Sequence, residues 1–372
     1  MKVGGKNHLV ILAGDYTKKE KKRMRKESLK ENKFLLRTSS GEYLAQHLIR
    51  EAERSFFDNV MLVASPNVAE HIQLGRTKLV PQQGSFIENL VAGLDDASAK
   101  GDGKILVRYG DLFCLRRESL ETTMQSWAEM EDKEKRRIDL FLEVISEEEF
   151  ERHERFRELF PYFPYLPLLV NRKKGFYKQA NGFGVHTAFY RGLSRELMIS
   201  LGSELFSLRD LSGRSRYYLE IAKSVLGRGS LARKLKELGY WDNYLGKTRN
   251  KWEIIKMLYS IVRLRKYKRR IFSGKEEWDE NRFGWNFSNV DVKKIEKTLS
   301  GIIRGYVRIN TNSPHIENAL DPDYVHEARA FTQHFSTLMK WVKSSIASAF
   351  VYAEKNITDY LASKGERLGS YA

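Results

Sequence analysis

The stretch Lys104–Leu115, KILVRYGDLFCL, decides the fold. Ile105, Leu106 and Val107 make a short branched apolar run that ends at Gly110-Asp111, and a segment of helical character follows. A short apolar run bounded by a turn reads as a buried strand. This strand delivers one carboxylate to its carboxyl tip. In open α/β sheets ligands collect at that tip, because loops and helix N-termini converge on it.

The same alternation extends toward the N-terminus. Leu9–Leu12 (LVIL) reads as a first strand that runs into Ala13-Gly14-Asp15, and a lysine-rich loop, Tyr16 to Glu31, follows it. Asn32-Lys33-Phe34-Leu35-Leu36 opens the next element, and a helix carries Leu44, Leu48 and Ile49 on one face. Val60–Ala64 is a second strand. Lys78-Leu79-Val80 is a third, and Pro81-Gln82-Gln83-Gly84-Ser85 leads from it into a helix bearing Ile87, Leu90, Val91 and Leu94 at helical spacing. Strand and helix in regular alternation predict an α/β fold with a mostly parallel, Rossmann-like sheet flanked by helices.

Beyond the central strand the pattern is looser. Met124 to Phe160 reads as charged helix, Pro161–Pro167 as a loop or edge, and Lys173-Lys174-Gly175 as a hairpin turn before Phe176–Asn181. Leu193 to Ile271 reads as mainly helical, and Ile302–Ile309 returns to a strand pattern. A closing helix, Tyr324 to Leu361, carries Phe335, Leu338, Trp341, Ile346 and Phe350 on a face that would pack on the core or on another subunit. The expected organisation is a core over 1–200, a basic helical insertion over 201–300, a return to the core over 301–330 and a C-terminal helix over 331–372.

Composition narrows the function classes. The 372 residues are 41% hydrophobic and 12% aromatic, as in a folded globular chain. The single cysteine, Cys114, excludes an intrachain disulfide. No segment reaches the roughly 18 uninterrupted apolar residues of a membrane span, and the apolar run near the N-terminus is too short for a signal peptide. A cytoplasmic location is the expectation. The eight histidines have no metal-ligand spacing, and no Ser/His/Asp arrangement is present. The formal charge of +17 is concentrated, with 19 Lys/Arg against 5 Asp/Glu from Arg209 to Lys275. Such a block attracts phosphates, nucleic acid or an anionic membrane surface. Nucleic acid is the poorer fit, because no nucleic-acid-binding motif accompanies the charge.

Taken in order, Leu12-Ala13-Gly14, Asn32-Lys33-Phe34-Leu35-Leu36, Gly84-Ser85 with Glu88-Asn89-Leu90, Tyr109-Gly110-Asp111, Ala180-Asn181 and Ala319-Leu320-Asp321-Pro322-Asp323 resemble the motifs of MobA-like nucleotidyltransferases. These belong to the sugar-phosphate nucleotidyltransferase superfamily, with a GT-A-type Rossmann-like fold. The resemblance covers about residues 8–200 and 300–330. It implies transfer of NMP from an NTP to a phosphorylated or hydroxylated acceptor, with Mg²⁺ and release of pyrophosphate. It implies that Gly84, Ser85 and Asn89 line the base pocket, that Leu12, Gln83 and Gly110 also bind the nucleotide, that Asp111 and Asp321, with Asp323, hold Mg²⁺, and that Asn181 faces the acceptor.

The residue types suit that chemistry. Nucleotidyl transfer builds negative charge on the α-phosphate and the departing pyrophosphate, so it needs cations and backbone N–H groups more than a covalent nucleophile. The small residues Ala13 and Gly14 after Leu12 allow close backbone approach to phosphate. Lys33 supplies a point charge, and Mg²⁺ favours hard carboxylate oxygens. One departure stands out: the loop Asp15–Glu31 is glycine-free where the family has a Gly-rich loop, so Arg23 or Arg25 would replace backbone amides with side chains.

Plainer readings stand beside these. Asp111 fits a helix N-cap, as does Asp321 before Pro322, and Asn181-Gly182 fits a simple turn. The basic block fits a solvated helix with an apolar core face as well as a helix lying on an anionic membrane. Two other functions share the fold, a glycosyltransferase using a nucleotide-sugar and a non-catalytic binding module.

Overall fold

A computed structural model describes residues 5–13, 33–153, 156, 166–193, 195, 198–200, 202, 218–237, 239, 241–242, 251–252, 254–256, 258–259, 290–320 and 328–343. The strands are β1 Lys6–Leu12, β2 Asn59–Ala64, β3 Lys78–Pro81, β4 Gly103–Tyr109, β5 Leu140–Ser146, β6 Leu166–Val170, β7 Lys173–Gln179, β8 Gly182–His186, β9 Val290–Asp291 and β10 Val307–Asn310. The helices are α1 Leu44–Arg54, α2 Pro66–His71, α3 Phe86–Ala99, α4 Arg117–Glu134, α5 Glu147–Glu151, α6 Thr187–Arg191, α7 Gly229–Glu237 and α8 Val292–Ile303. Residues 218–225 and 328–343 are also helical.

The strands form one sheet in the order β3-β2-β1-β4-β8-β5-β7-β6-β9, with β10 on β5. β3, β2, β1 and β4 run parallel, and β8 lies antiparallel between β4 and β5. This parallel half is covered on both faces, which its composition explains. Leu9 and Ile11 face one apolar cluster while Val10 and Leu12 face the other, so every position of LVIL must be apolar. On one face α3 lies so close that a Cβ at Gly93 would sit 2.5 Å from a Val10 methyl and 2.9 Å from one of Val63.

Three sequence expectations are corrected. The helix expected across Met124–Phe160 is interrupted by β5, where Leu140-Phe141-Leu142-Glu143-Val144-Ile145-Ser146 pairs with β8, β7 and β10. Its branched and aromatic residues suit a strand buried within a sheet better than their acidic neighbours suggest. The hairpin turn falls at Asn171-Arg172, not at Lys173-Lys174-Gly175. Both turn residues have positive φ, 50° and 66°, and Val170 pairs with Lys173, as a two-residue turn matched to strand twist requires. Finally, Ile302 and Ile303 close α8, and the strand begins only at Val307. Val290–Ile303 packs on the sheet through β9 and the buried Val292 and Ile295.

Residues 328–343 lie on the chain's own core. Phe331 meets Phe113 edge to face, Phe335 meets His47, and Leu338 and Val342 are fully buried. Ile346 and Phe350 lie outside the described residues. Among the described residues no helix is long and apolar enough to cross a membrane.

Candidate active site at the carboxyl edge of the sheet

The parallel strands end together. Leu12 is level with Val63 and Tyr109, and Ala64 with Pro81. Beyond the strands the backbone pairing continues: Gly110 N donates to Leu12 O (2.7 Å), Ala13 N to Val63 O (2.9 Å) and Gln82 N to Ala64 O (3.0 Å). Because β8 is antiparallel, its start lies at the same edge, and Tyr109 N donates to Asn181 O (3.3 Å). Leu12, Ala13, Gly110, Asp111 and Asn181 are thereby gathered along one line.

Gly110 is required there sterically. A Cβ would stand 2.1 Å from Phe34 Cζ and 2.9 Å from Leu12 O. The Phe34 ring, fully buried and edge-on to Phe113 at 6.3 Å, closes the space beneath the turn. Packing of Phe34 also fixes its neighbour. Lys33 opens the same short 3-10 turn, Lys33–Leu35, and its Nζ donates to Asp111 Oδ2 at 2.8 Å. Both side chains are largely withdrawn from water, 8% and 16% exposed. Asp111 Oδ1 is buried with no hydrogen-bond partner. Asp111 is not an N-cap, since α4 begins at Arg117 with Arg116 in the cap position. A carboxylate that caps no helix and holds one oxygen unpaired costs stability unless something supplies positive charge. Lys33 supplies part of it.

The loop after β3 is built differently. Ser85 caps α3, its Oγ accepting from Glu88 N (3.2 Å) while Glu88 Oε2 accepts from Ser85 N (2.6 Å). Asn89 Oδ1 accepts from Gln83 N (2.5 Å). Ser85 and Asn89 therefore shape the loop, and they leave Gln83 and Gly84 exposed at the amino end of a 14-residue helix. Such an end favours anions.

Asn181 is held by its backbone, its N donating to Asn318 O (2.7 Å), while its side-chain Nδ2 is buried and without a partner. Asn318 lies in the buried 3-10 turn Ile316–Ala319, which two polar clusters anchor. In one, Arg108 Nη2 donates to Glu143 Oε2 (2.5 Å) and to Thr123 Oγ1 (2.9 Å), and Asn318 Nδ2 reaches the same Thr123 at 3.3 Å. In the other, Arg116 Nε donates to Glu317 Oε1 (3.2 Å), and His315 Nδ1 stands 3.3 Å from that oxygen. Burial alone would raise the Glu317 pKa, but His315 and Arg116 outweigh it and hold the carboxyl below its ordinary value. Sequence reading missed these residues. Their signal was a charge inside an apolar strand, Arg108 in ILVRY and Glu143 in LFLEVIS, which demands a partner.

Gly14, Arg23, Asp321 and Asp323 lie outside the described residues. Among the described residues no three His, Cys, Asp or Glu side chains gather as a metal group. The unpaired Asp111 Oδ1 nevertheless fits a hard divalent cation that keeps most of its waters and takes one or two carboxylates. Burial pushes the Cys114 thiol well up, so it is no nucleophile. A cavity of about 450 Å³ lies at the opposite end of the sheet, lined by Asp95, Ser98, Tyr190 and Arg191 among others. Its charges are already matched, Arg191 with Asp102 and Arg195 with Asp95.

No family model matches the chain, and no curated protein matches it. Among solved structures it is similar to a hypothetical transferase structure from Thermus thermophilus, at 16% identity and a TM-score of 0.50, covering 87% of this chain and 99% of that one. It is also similar to CMP:2-keto-3-deoxy-manno-octonic acid synthetase complexed with CTP (16% identity, TM-score 0.34, 53% and 83% covered). A third is a nucleotidyl transferase from Methanothermobacter thermautotroptrophicus (15%, 0.33, 51% and 75%). The Thermus likeness extends over nearly the whole of both chains and is one of fold.

Proposed function

We propose that this chain is a nucleotidyltransferase that moves NMP from an NTP to a phosphorylated small-molecule acceptor and releases pyrophosphate. The reading rests on one observation, the Lys33–Asp111 pair at the carboxyl edge, where a withdrawn carboxylate keeps one oxygen unpaired beside a glycine closed in by the Phe34 ring and the Leu12 carbonyl. The order of the sequence motifs adds to it.

In the reaction an acceptor oxygen attacks the α-phosphorus. A new P–O bond forms, the bond to the bridging oxygen breaks, and pyrophosphate leaves with the electron pair. Backbone at Ala13 and the amino end of α3 at Gln83-Gly84 would bind the nucleotide, and Lys33 would place a fixed positive charge by the phosphates. Asn181 would orient the acceptor through the buried Nδ2. Asp111, with Asp321 and Asp323, would hold Mg²⁺, whose charge neutralises phosphate oxygens. Before the cation arrives, Lys33 holds the carboxylate in position.

The test is a panel of four NTPs against sugar-, polyol- and choline-phosphates with Mg²⁺, read by pyrophosphate release. Turnover with one NTP and one acceptor class supports the proposal. Release of nucleoside diphosphate from a sugar nucleotide, without pyrophosphate from any NTP, contradicts it and marks a glycosyltransferase.

A further inference from the structure

The described residues of the basic block take no part in the site above, yet they carry an unusual surface. Residues 218–225 and the helical residues 251–252, 254–256 and 258–259 pack against each other through Val225, Ile254 and Leu258, and together against Leu299 and Ile302. That contact accounts for one face of each helix. The other face is not polar. Among the described residues five large apolar side chains are exposed, and four of them are here: Leu219 (43%), Leu226 (44%), Trp252 (64%) and Tyr259 (54%).

Their spacing is regular. Leu219, Lys223 and Leu226 fall at i, i+4 and i+7, and so do Trp252, Lys256 and Tyr259. Each helix thus presents an outward stripe of apolar residue, exposed lysine, apolar residue. A solvated helix has no use for either stripe, since exposing large apolar groups in a row leaves favourable burial unused.

We infer that this helix pair is a docking surface for an anionic lipid membrane, with Leu219, Leu226, Trp252 and Tyr259 seated at the headgroup boundary, Lys256 facing the lipid phosphates, and Lys223 exchanging its exposed ion pair with Glu220 (2.8 Å) for a phosphate. Charge complementarity carries the choice of occupant. The sequence Arg209–Lys275, within which both helices fall, has 19 basic against 5 acidic residues, a net charge that disfavours a second copy of the same segment and favours an anionic leaflet. The apolar residues separate lipid from nucleic acid. Aromatic rings stack on bases, but Leu219 and Leu226 have nothing to stack and gain only by entering an acyl boundary. Trp and Tyr are also the side chains that favour that boundary. The surface does not depend on which reaction the carboxyl edge performs.

The test uses the full chain with vesicles of phosphatidylcholine alone and of phosphatidylcholine with 30% phosphatidylglycerol, read by co-sedimentation. The expected result is binding to the anionic vesicles, weakened by raised salt, and at least ten-fold weaker partition for Trp252→Ser/Tyr259→Ser. A second variant, Lys223→Glu/Lys256→Glu, tests charge without removing apolar surface and is expected to bind less as well. Both variants should melt like the parent chain, because all four positions are exposed. No binding to either vesicle overturns the inference. So do equal binding to neutral vesicles, undiminished binding by well-folded variants, tighter binding to a single-stranded RNA oligonucleotide than to vesicles, or self-association lost in the same variants.

Discussion

Removing the Glu143 carboxylate should be the most damaging single change in the strands behind the site. Glu143 is 3% exposed and Arg108 is fully buried, and the two meet at 2.5 Å. Glu143→Ala would leave a guanidinium with no counter-charge and no route to water, and would also take an acceptor from Thr123. Breaking a buried pair by removing one partner costs about 3–5 kcal/mol. Replacing both members by apolar residues of similar volume is often close to neutral, so Arg108→Met/Glu143→Leu should recover most of that loss. The assay is equilibrium urea denaturation of the parent, the two single variants and the double. A Glu143→Ala cost below about 1 kcal/mol, the range of exposed pairs, would refute the claim that this pair is dry. So would a double variant no better than the single. Because Asn318 is held by the same cluster and receives Asn181 N, Glu143→Ala should also lower turnover.

Two further outcomes follow from the geometry. Gly110→Ala places a methyl 2.1 Å from Phe34 Cζ, so it should lower stability by about 1–3 kcal/mol, and adding Phe34→Leu should restore part of it; an unchanged melting temperature for Gly110→Ala would show that the ring does not close that turn. Glu317 has a folded pKa below its unfolded value, so the unfolded chain binds the proton more readily and stability rises with pH. Its contribution is complete above about pH 4.3 and is lost as pH falls through the lower folded value; thermal melts should show a shallower acid slope for Glu317→Gln, and an equal slope would contradict the assignment.

How much could be read from sequence follows how local each determinant is. LVIL, VMLVA and ILV are unbroken apolar runs, which a strand covered on both faces favours, so the parallel half was legible. By contrast β5 was hidden among charged neighbours, and its pairing with β8 and β10 is a long-range fact. The glycine at Gly175 is the stronger local turn signal, yet the turn forms at Asn171-Arg172, where asparagine accepts positive φ. At the site, sequence placed Lys33 and Asp111 on the same reaction, but their direct contact spans 78 positions and depends on Phe34 packing under Gly110. The roles of Ser85 and Asn89 in shaping the loop, and of Asn318 in holding Asn181, required the neighbours to be in place.

The central claim is that the withdrawn carboxylate after β4 serves phosphate chemistry rather than folding. Pyrophosphate release by Asp111→Ala, measured with the best NTP and acceptor beside a thermal melt of the same sample, tests it most directly. The expected result is a folded protein whose turnover falls by at least a hundred-fold. A variant that melts like the parent chain and releases pyrophosphate at the parent rate would contradict it.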